Sequence, residues 1–317
     1  MIRSRPSSPA AEHEREPRIH PTLEDLVRLQ FGPRHFSLLP KQPVTSLLSG
    51  RHASRLRGRG LTFEELRDYR PGDDIRLMDW KATARLRQPH VRVYSEERER
   101  PVLLVVDQRT PMFFGSARTT KATAAAETAA LAAWRTLSAG DRVGALVVSD
   151  DDVVEIRPQR SKRNVLRICQ ALVEANGKLA ATKPRHAAET LNDALWRAEH
   201  VARHDHLILV ITDFADADET TRRHTANLAS HNDVMALLVY DPLGANLPVG
   251  RPGLATDGGQ TVAIPDGKSF QARFEAAFVA RCDELRSILQ ALRIPILPIC
   301  THETVRAQLA AALGHRP

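Results

Sequence analysis

Oxygen-bearing side chains follow two apolar runs of the sequence, and a third such side chain opens a helical segment. Asp107 ends the run VLLVVD, and Asp213 directly follows HLILVIT. Thr190 opens the segment TLNDALWRAEHVAR, which has helical spacing. Carboxylate and hydroxyl oxygens are the ligands that hard divalent cations such as Mg²⁺ take in proteins. These residues indicate a metal site, with the alternative that the aspartates only cap the turn or helix that follows each strand.

The elements that must position these residues alternate between short apolar runs and helical segments from residue 101 onward. The apolar runs lie at 102–107, 142–149, 206–214, 233–241 and 294–301, with VVEIRP at 153–158 as a hairpin partner. The helical segments lie at 119–137, 161–175, 190–203, 218–230, 270–293 and 303–313. Continuously apolar runs are typical of strands buried on both faces. The order therefore predicts a doubly wound, mostly parallel α/β sheet with helices on both faces, whose ligands bind at the carboxyl ends of the strands. Asp107, Asp213 and Asp241 are expected at that edge.

The order of Asp107, Thr190 and Asp213 along the chain resembles that of von Willebrand factor A-like domains. The resemblance implies a metal-ion-dependent adhesion site that holds Mg²⁺, built from Asp-x-Ser-x-Ser, a later Thr and a later Asp. In this chain the two serine positions hold Arg109 and Pro111. Arginine cannot ligate a cation, and proline offers no side-chain oxygen. We therefore expect a degenerate site, in which Arg109 forms an internal ion pair with Asp107 or Asp213 in place of a bound cation.

The run from Gly60 to Glu97 combines dense charge with regularly placed apolar residues, which predicts a folded cap rather than a solvated loop. Its strictly spaced residues are Arg67, Tyr69, Gly72, Asp73, Arg76, Asp79, Trp80, Ala84 and Arg85. This spacing resembles the pattern of the bacterial domain of unknown function 58 family, and the resemblance covers roughly residues 45–313. It implies a protein that works beside a MoxR-type AAA+ ATPase in the assembly, activation or cofactor loading of another protein complex.

These signature residues suit local structural roles as well as a docking role. Pro71-Gly72-Asp73 has the chemistry of a turn, and Asp79 is expected to cap the short helix WKATAR. Trp80 is predicted to anchor a small core with Tyr69 and Tyr94, the alternative being a docking face. The arginines are predicted to pair with nearby aspartates or, where exposed, to form that docking face. The arginines are Arg67, Arg70, Arg76 and Arg85, and the aspartates are Asp68, Asp73, Asp74 and Asp79.

Chain length and the changes of residue pattern along the chain divide the 317 residues into three parts. Residues 1–35 are expected to be a disordered tail with a short helix at 22–31, residues 36–100 an extension that carries the signature and packs on the main domain, and residues 101–317 the α/β domain. The apolar runs are too short to span a bilayer, and the N-terminal residues lack a signal-peptide pattern. The three cysteines show no CxxC spacing and are expected to be buried free thiols. We expect a soluble, cytoplasmic protein.

The motifs argue against several kinds of enzyme. Arg109 stands where an aspartyl-phosphate phosphatase would need its second aspartate, and the sequence holds neither a Walker-type Gly-Lys-Ser nor a Gly-x-Ser-x-Gly elbow. We therefore expect a non-enzymatic protein-interaction module, with a hydrolase using Asp107 and Asp213 as a weaker alternative. The other alternative is nucleic-acid binding through the basic run 51–60, in a chain of net charge +7 and pI near 9.7. That run lacks the aromatics on which single-stranded bases stack.

Overall fold

The computed structural model describes residues 19–31, 61–96, 100–180, 188–245, 247, 253–256, 261–265 and 267–313. These residues belong to two compact units, one that holds 19–31 and 100–313 and one that holds 61–96. The basic run 51–60 lies outside the described residues, as does most of the predicted tail at 1–35.

The helices and strands follow each other in nearly the predicted order. The strands are β1 Leu61–Asp68, β2 His90–Glu96, β3 Val102–Asp107, β4 Val143–Val148, β5 Val153–Gln159, β6 Leu207–Thr212, β7 Asp233–Tyr240, β8 Gly253–Thr256, β9 Thr261–Ile264 and β10 Ile296–Cys300. The α-helices are α1 Leu23–Arg28, α2 Trp80–Leu86, α3 Lys121–Ser138, α4 Lys162–Gly177, α5 Ala188–Val201, α6 Glu219–His231, α7 Pro242–Ala245, α8 Lys268–Ala291 and α9 Val305–Leu313. Short 3₁₀ turns lie at Leu29–Phe31, Ile75–Leu77 and Thr110–Met112.

The larger unit is built on a six-stranded sheet of order β10-β7-β6-β3-β4-β5. Every neighbouring pair is parallel except β4 and β5, which form the predicted antiparallel hairpin. The residues of β3, β4 and β6 are buried throughout, which explains why their sequences are apolar without alternation. The prediction of a doubly wound, mostly parallel α/β sheet is confirmed.

Two apolar cores cover the two faces of this sheet. Alternate residues of β3 point to opposite faces, so that Leu104 packs into one core and Leu103 into the other. The first core receives the alanine-rich α3 together with α4 and α9, and the second receives α5, α6 and the C-terminal end of α8. The many alanines of α3 let the helix approach the sheet closely, and most of its residues are buried.

The N-terminal segment 19–31 packs into the first core. Leu26 of α1 is fully buried there, and its carbonyl accepts a hydrogen bond from the indole Nε1 of Trp134 at 3.0 Å. Thr22 caps α1 through a reciprocal capping box with Asp25. The short helix assigned to the tail region is therefore part of the fold of the larger unit.

The smaller unit is an antiparallel hairpin of β1 and β2 with a turn and a short helix between the strands. The hairpin carries a bulge between Phe63 and Glu65, and α2 lies in its connection. A second, separate hairpin of β8 and β9 lies in the larger unit and was not predicted from the sequence. No helix of the described ranges has both the length and the apolar character that crossing a bilayer requires.

The bulge between β4 and β5 requires a glycine at position 144. An added Cβ would lie 2.5 Å from the carbonyl oxygen of Ile156 and 2.6 Å from the nitrogen of Pro158, both backbone atoms. We expect Gly144→Ala to lower the free energy of unfolding by about 1–3 kcal/mol, because the hairpin must shift to admit the methyl group. Urea unfolding monitored by circular dichroism measures this loss.

Gly177→Ala is the matched control, because a Cβ there meets no atom within 4 Å and the residue ends α4. Its stability should change by less than about 1 kcal/mol, in the direction that favours the helix. Equal unfolding midpoints for the two variants would contradict the close approach of the β5 backbone to Gly144.

Candidate functional site

The carboxyl ends of three neighbouring strands carry aspartates on one edge of the sheet. Asp107 ends β3, Asp213 follows β6, and Asp241 follows β7. The chain continues from β3 to β4 on one side and reaches β6 on the other, so the switch point of the sheet lies between β3 and β6. This is the place where open α/β sheets bind ligands.

The side chain of Arg109 lies against Asp107 inside the protein. The Asp107 carboxylate accepts hydrogen bonds from Nε of Arg109 at 2.9 Å and from its Nη2 at 2.7 Å. The backbone N–H of Arg109 also donates to Asp107 Oδ1, at 3.0 Å. The Arg109 side chain is 0% exposed and that of Asp107 is 1% exposed. The pair is therefore a bidentate, dehydrated ion pair, the geometry for which a guanidinium is best suited.

Two further side chains contact this ion pair. The Thr212 hydroxyl donates to Asp107 Oδ2 at 2.6 Å, and Asp216 Oδ2 accepts from Arg109 Nη1 at 2.7 Å. Burial alone would lower the pKa of Arg109, but the carboxylates of Asp107 and Asp216 outweigh it and hold that pKa above its ordinary value. The arginine is thus a permanent cation at the end of β3.

The other residues of the predicted metal set have separate partners. Asp213 forms an ion pair with Lys121 and accepts the backbone N–H of Ala215. The Thr190 hydroxyl donates to the backbone oxygen of Asp150 at 3.5 Å. Within the described ranges no hydrogen bond joins Thr190 to either aspartate of the set.

The residues at this edge do not fit a divalent cation. Both oxygens of Asp107 are engaged by Arg109, whose positive charge stands beside the carboxylate that a metal would need. The carboxylate of Asp213 is held by Lys121. In the part of the chain that the structure describes, no cluster of three or more His, Cys, Asp or Glu residues is arranged to hold a metal ion.

Sequence reasoning identified Arg109 and Asp107 but missed the residues that pair around them. The expected alternative partner of Arg109 was Asp213, whereas its second carboxylate comes from Asp216 in the same loop. Lys121, at the first turn of α3, reaches across the edge to Asp213. The spacing Asp213-x-x-Asp216 after a buried strand and a lysine at the start of the next helix were the only local signals for these contacts.

The third aspartate of the edge is held by hydroxyl groups. Asp241 accepts from the Ser116 hydroxyl at 2.6 Å and the Thr301 hydroxyl at 2.5 Å, and from the backbone N–H of Leu243 at 2.9 Å. Burial would raise the pKa of Asp241, but these hydrogen bonds outweigh it and keep the pKa below its ordinary value. The His302 imidazole lies 2.8 Å from Ser116 Oγ.

The smaller unit shows what the first signature residues do. Arg67 donates to both oxygens of Asp73 at 2.8 Å each, and the backbone N–H of Arg70 donates to the same carboxylate. The hydrogen bonds from Arg67 lower the pKa of Asp73 below its ordinary value. Gly72 adopts a φ of 105°, which only glycine takes readily. These contacts fix the turn that follows β1, and Tyr69 is half-buried beside it.

Asp79 holds the start of α2. Its Oδ1 accepts the backbone N–H groups of Lys81 and Ala82 at 3.0 Å each, so the predicted capping is confirmed. Its Oδ2 accepts from Nε of Arg92 at 2.9 Å. Hydrogen bonds from the backbone of Ala82 and from Arg92 lower the pKa of Asp79. The arginine that pairs with Asp79 is thus in β2 and is not one of the four named from the sequence.

The prediction that Trp80 anchors a small core is wrong. Its side chain is 67% exposed, because the cap at Asp79 places it on the outer face of the first turn of α2. The residue of α2 that is buried is Ala82. Arg76, Ala84 and Arg85 are also exposed. The side chain of Tyr94, the third member of the predicted core, lies outside the described residues.

An open, mostly parallel sheet with helices on both faces and polar residues at the carboxyl edge of its strands defines a doubly wound α/β protein. The chain belongs to the family described as protein of unknown function DUF58, whose model matches residues 65–282. Three curated relatives, one from Mycobacterium bovis and two from strains of Mycobacterium tuberculosis, are uncharacterized proteins. Each is 32% identical over 228 residues, which cover 70% of this chain and 68% of the relative. The family predicted from the signature spacing is confirmed.

Two solved structures are also similar to this chain. The conserved hypothetical protein BatB from Bacteroides thetaiotaomicron matches 67% of this chain and 95% of its own, with 15% identity and a TM-score of 0.43. A von Willebrand factor type A protein from Catenulispora acidiphila matches 72% of this chain and 45% of its own, with 11% identity and a TM-score of 0.35.

The buried ion pair is expected to be required for the stability of the fold. Arg109→Met keeps most of the side-chain volume but leaves the Asp107 carboxylate buried without its cation. We expect the free energy of unfolding to fall by about 3–5 kcal/mol. Urea unfolding at neutral pH measures the loss.

Arg157→Met is the matched control for this variant. Arg157 pairs with Glu155 at 3.1 Å, but its side chain is 83% exposed. Solvent screens such a pair, so the control should lose less than about 1 kcal/mol. An Arg109→Met protein as stable as the control would contradict the assignment of Arg109 as a required buried cation.

Proposed function

We propose that this protein is a non-enzymatic protein-interaction module that acts as an adaptor beside a MoxR-type AAA+ ATPase, in the assembly, activation or cofactor loading of another protein complex. The observation that carries the proposal is the exposed Trp80 on a turn and helix fixed by ion pairs. An ATP-driven partner implies that the protein works in the cytoplasm, where ATP is available.

The residues around Trp80 have the composition of a docking face. We use this term for Ile75, Leu77, Trp80, Arg76 and Arg85, all of which are exposed. A tryptophan beside aliphatic side chains and arginines is the combination that dominates binding energy at protein interfaces. Two exposed aliphatic residues within five positions of an exposed tryptophan supply more apolar surface than scattered single residues on a soluble protein.

The ion pairs of the smaller unit support a binding role because they make this face rigid. The bidentate contact of Arg67 with Asp73 fixes the turn before Ile75, and Asp79 fixes the helix that presents Trp80. A face that is already ordered loses little conformational entropy when a partner docks. The signature residues thus combine ion pairs that fix the backbone with apolar side chains that remain exposed.

The strand-end site of the larger unit supports binding rather than catalysis. General acid–base chemistry needs a group that exchanges protons with a substrate near the working pH. Asp107 is buried against Arg109, and Asp213 is paired with Lys121. Both carboxylates are engaged by neighbouring cations rather than open to a substrate, which favours an interaction module over a hydrolase that uses these two residues.

The choice of partner rests on family membership and on charge. The resemblance of the signature to this family implies a MoxR-type AAA+ ATPase as partner, and the docking face offers an aromatic anchor with arginines at its border. The complementary surface would be an apolar pocket with an acidic rim.

A binding measurement with the full-length chain tests this function. The chain is immobilised, and the MoxR-type AAA+ ATPase of the same source is titrated over it with and without ATP. We expect saturable binding that depends on the nucleotide state. Trp80→Ala should weaken binding by about tenfold or more, because a central aromatic anchor contributes about 2 kcal/mol or more.

Trp196→Ala is the matched control, since Trp196 of α5 is also exposed, at 49%, and lies in the larger unit. It should bind the ATPase as tightly as the unchanged chain. Failure of the unchanged chain to bind in either nucleotide state would refute the proposed partner. A DNA or RNA shift that weakens steeply with salt and is unaffected by Trp80→Ala would instead favour the basic run 51–60.

A further inference from the structure

A cavity opens between α8 and the carboxyl ends of β6 and β7. Its volume is about 330 Å³. Apolar side chains make up much of its wall, namely Phe114, Leu238, Phe274, Phe278 and Leu285. Small-molecule sites are typically concave, mostly apolar and of about 300–1,000 Å³, and in open α/β sheets they lie at this edge.

The stripe of α8 that faces this cavity has the spacing of a core-facing helix. Phe274, Ala277, Phe278, Arg281, Cys282 and Leu285 line the cavity and follow each other at helical intervals along one face. Yet the 24-residue helix has one buried residue, Leu289 near its C-terminal end. The apolar stripe therefore borders an open space over most of its length, although its residue spacing is that of a helix face packed against a core.

Arg281 stands in the middle of this stripe, where a helix that only packs would carry an apolar residue. Its Nη2 donates to the backbone oxygen of Asp213 at 3.1 Å. Within the described part of the chain no carboxylate forms an ion pair with Arg281, whereas Arg286 on the same helix pairs with Asp283 at 2.6 Å. A guanidinium that meets only a carbonyl keeps donors for an anion that enters the cavity.

The other charged groups that line the cavity already have partners. Lys121 is paired with Asp213. Asp241 is held by the hydroxyls of Ser116 and Thr301. Asp241 remains a carboxylate, but its oxygens already accept from Ser116, Thr301 and Leu243, so among these lining groups the guanidinium of Arg281 is the charged one with donors left for a ligand.

We propose that this cavity binds a small carboxylic acid whose body is aromatic or branched aliphatic, with its carboxylate on the guanidinium of Arg281. An apolar cavity of about 150 Å³ is enough to hold benzene. The volume of about 330 Å³ therefore admits a ring with a short chain. The bidentate geometry of arginine suits a carboxylate head group, and the phenylalanines suit the ring. This inference does not depend on the proposed function, because it concerns residues of the larger unit alone.

Titration calorimetry of the full-length chain with three probes tests the proposal. The probes are 3-phenylpropionate, 3-phenylpropanol and 3-phenylpropylamine, which share a ring and differ in charge. We expect saturable binding of the acid at about millimolar affinity or tighter. The alcohol should bind about tenfold or more weakly, and the amine weaker still, because neither offers the guanidinium an anionic partner.

Variants of the cavity separate specific binding from nonspecific association. Arg281→Gln should lower the affinity for the acid by about tenfold or more and should leave that for the alcohol unchanged. Ala277→Phe should abolish binding of both, because its ring fills the cavity. Arg286→Gln is the matched control on the same helix and should bind like the unchanged chain.

A second measurement uses the unchanged chain, so that it does not depend on any variant folding. Cys282 lines the cavity and is partly exposed, in contrast to the buried thiol expected from the sequence. Burial raises the pKa of Cys169 to about 12 and makes it a poor nucleophile, and Cys300 is also buried. 3-Phenylpropionate should slow alkylation of Cys282 by iodoacetamide, measured by peptide mass spectrometry.

Several outcomes would overturn the proposal. These are equal affinities for the acid and the alcohol, tighter binding of the amine, absence of saturable binding of the acid, unchanged affinity in Arg281→Gln, and alkylation of Cys282 that the acid does not slow.

Discussion

The buried ion pair between Asp107 and Arg109 is the constraint on which the carboxyl edge of the sheet depends. Removing two charges from water costs several kcal/mol each, and the loss is offset only when the geometry is good and the remaining donors and acceptors are satisfied. Here the guanidinium reaches Asp107 through two bonds and Asp216 through a third, while Thr212 donates to the same carboxylate. Strands β3 and β6 and the loop after β6 must therefore keep their relative positions.

This constraint also explains the character of the neighbouring groups. The guanidinium of Arg109 places a permanent positive charge at the end of β3, directly beside the carboxylate of Asp107. Asp213 is then free to pair with Lys121, which ties the start of α3 to the end of β6. The ends of β3 and β6 thus carry closed ion pairs, and the open volume lies beside the second of them, under α8. The smaller unit is also held by ion pairs, but these are exposed and contribute little stability. They mainly hold a turn and a helix cap in place.

The sheet could be predicted from the sequence because each strand is recognised from neighbouring residues in the chain. Continuous apolar runs such as VLLVVD identify strands buried on both faces, and the residue pattern before α2 identifies Asp79 as its cap. The contacts of Lys121 and Asp216 could not be predicted, because they join residues about a hundred positions apart and depend on side-chain reach. Trp80 was misplaced because an aromatic residue in a charged run fits a small core or a binding face equally well, and only the cap geometry decides between them.

Titration of Mg²⁺ and Mn²⁺ into the unchanged chain and into Asp213→Ala, followed by calorimetry, tests the central claim that the ion pair of Asp107 with Arg109 leaves no site for a divalent cation at this edge. Since the carboxylate of Asp107 is already saturated by the guanidinium, the expected result is no saturable binding at millimolar concentrations in either protein. Binding at millimolar or tighter affinity that is lost in Asp213→Ala would show that the strand-end residues hold a metal despite Arg109, and would contradict the claim.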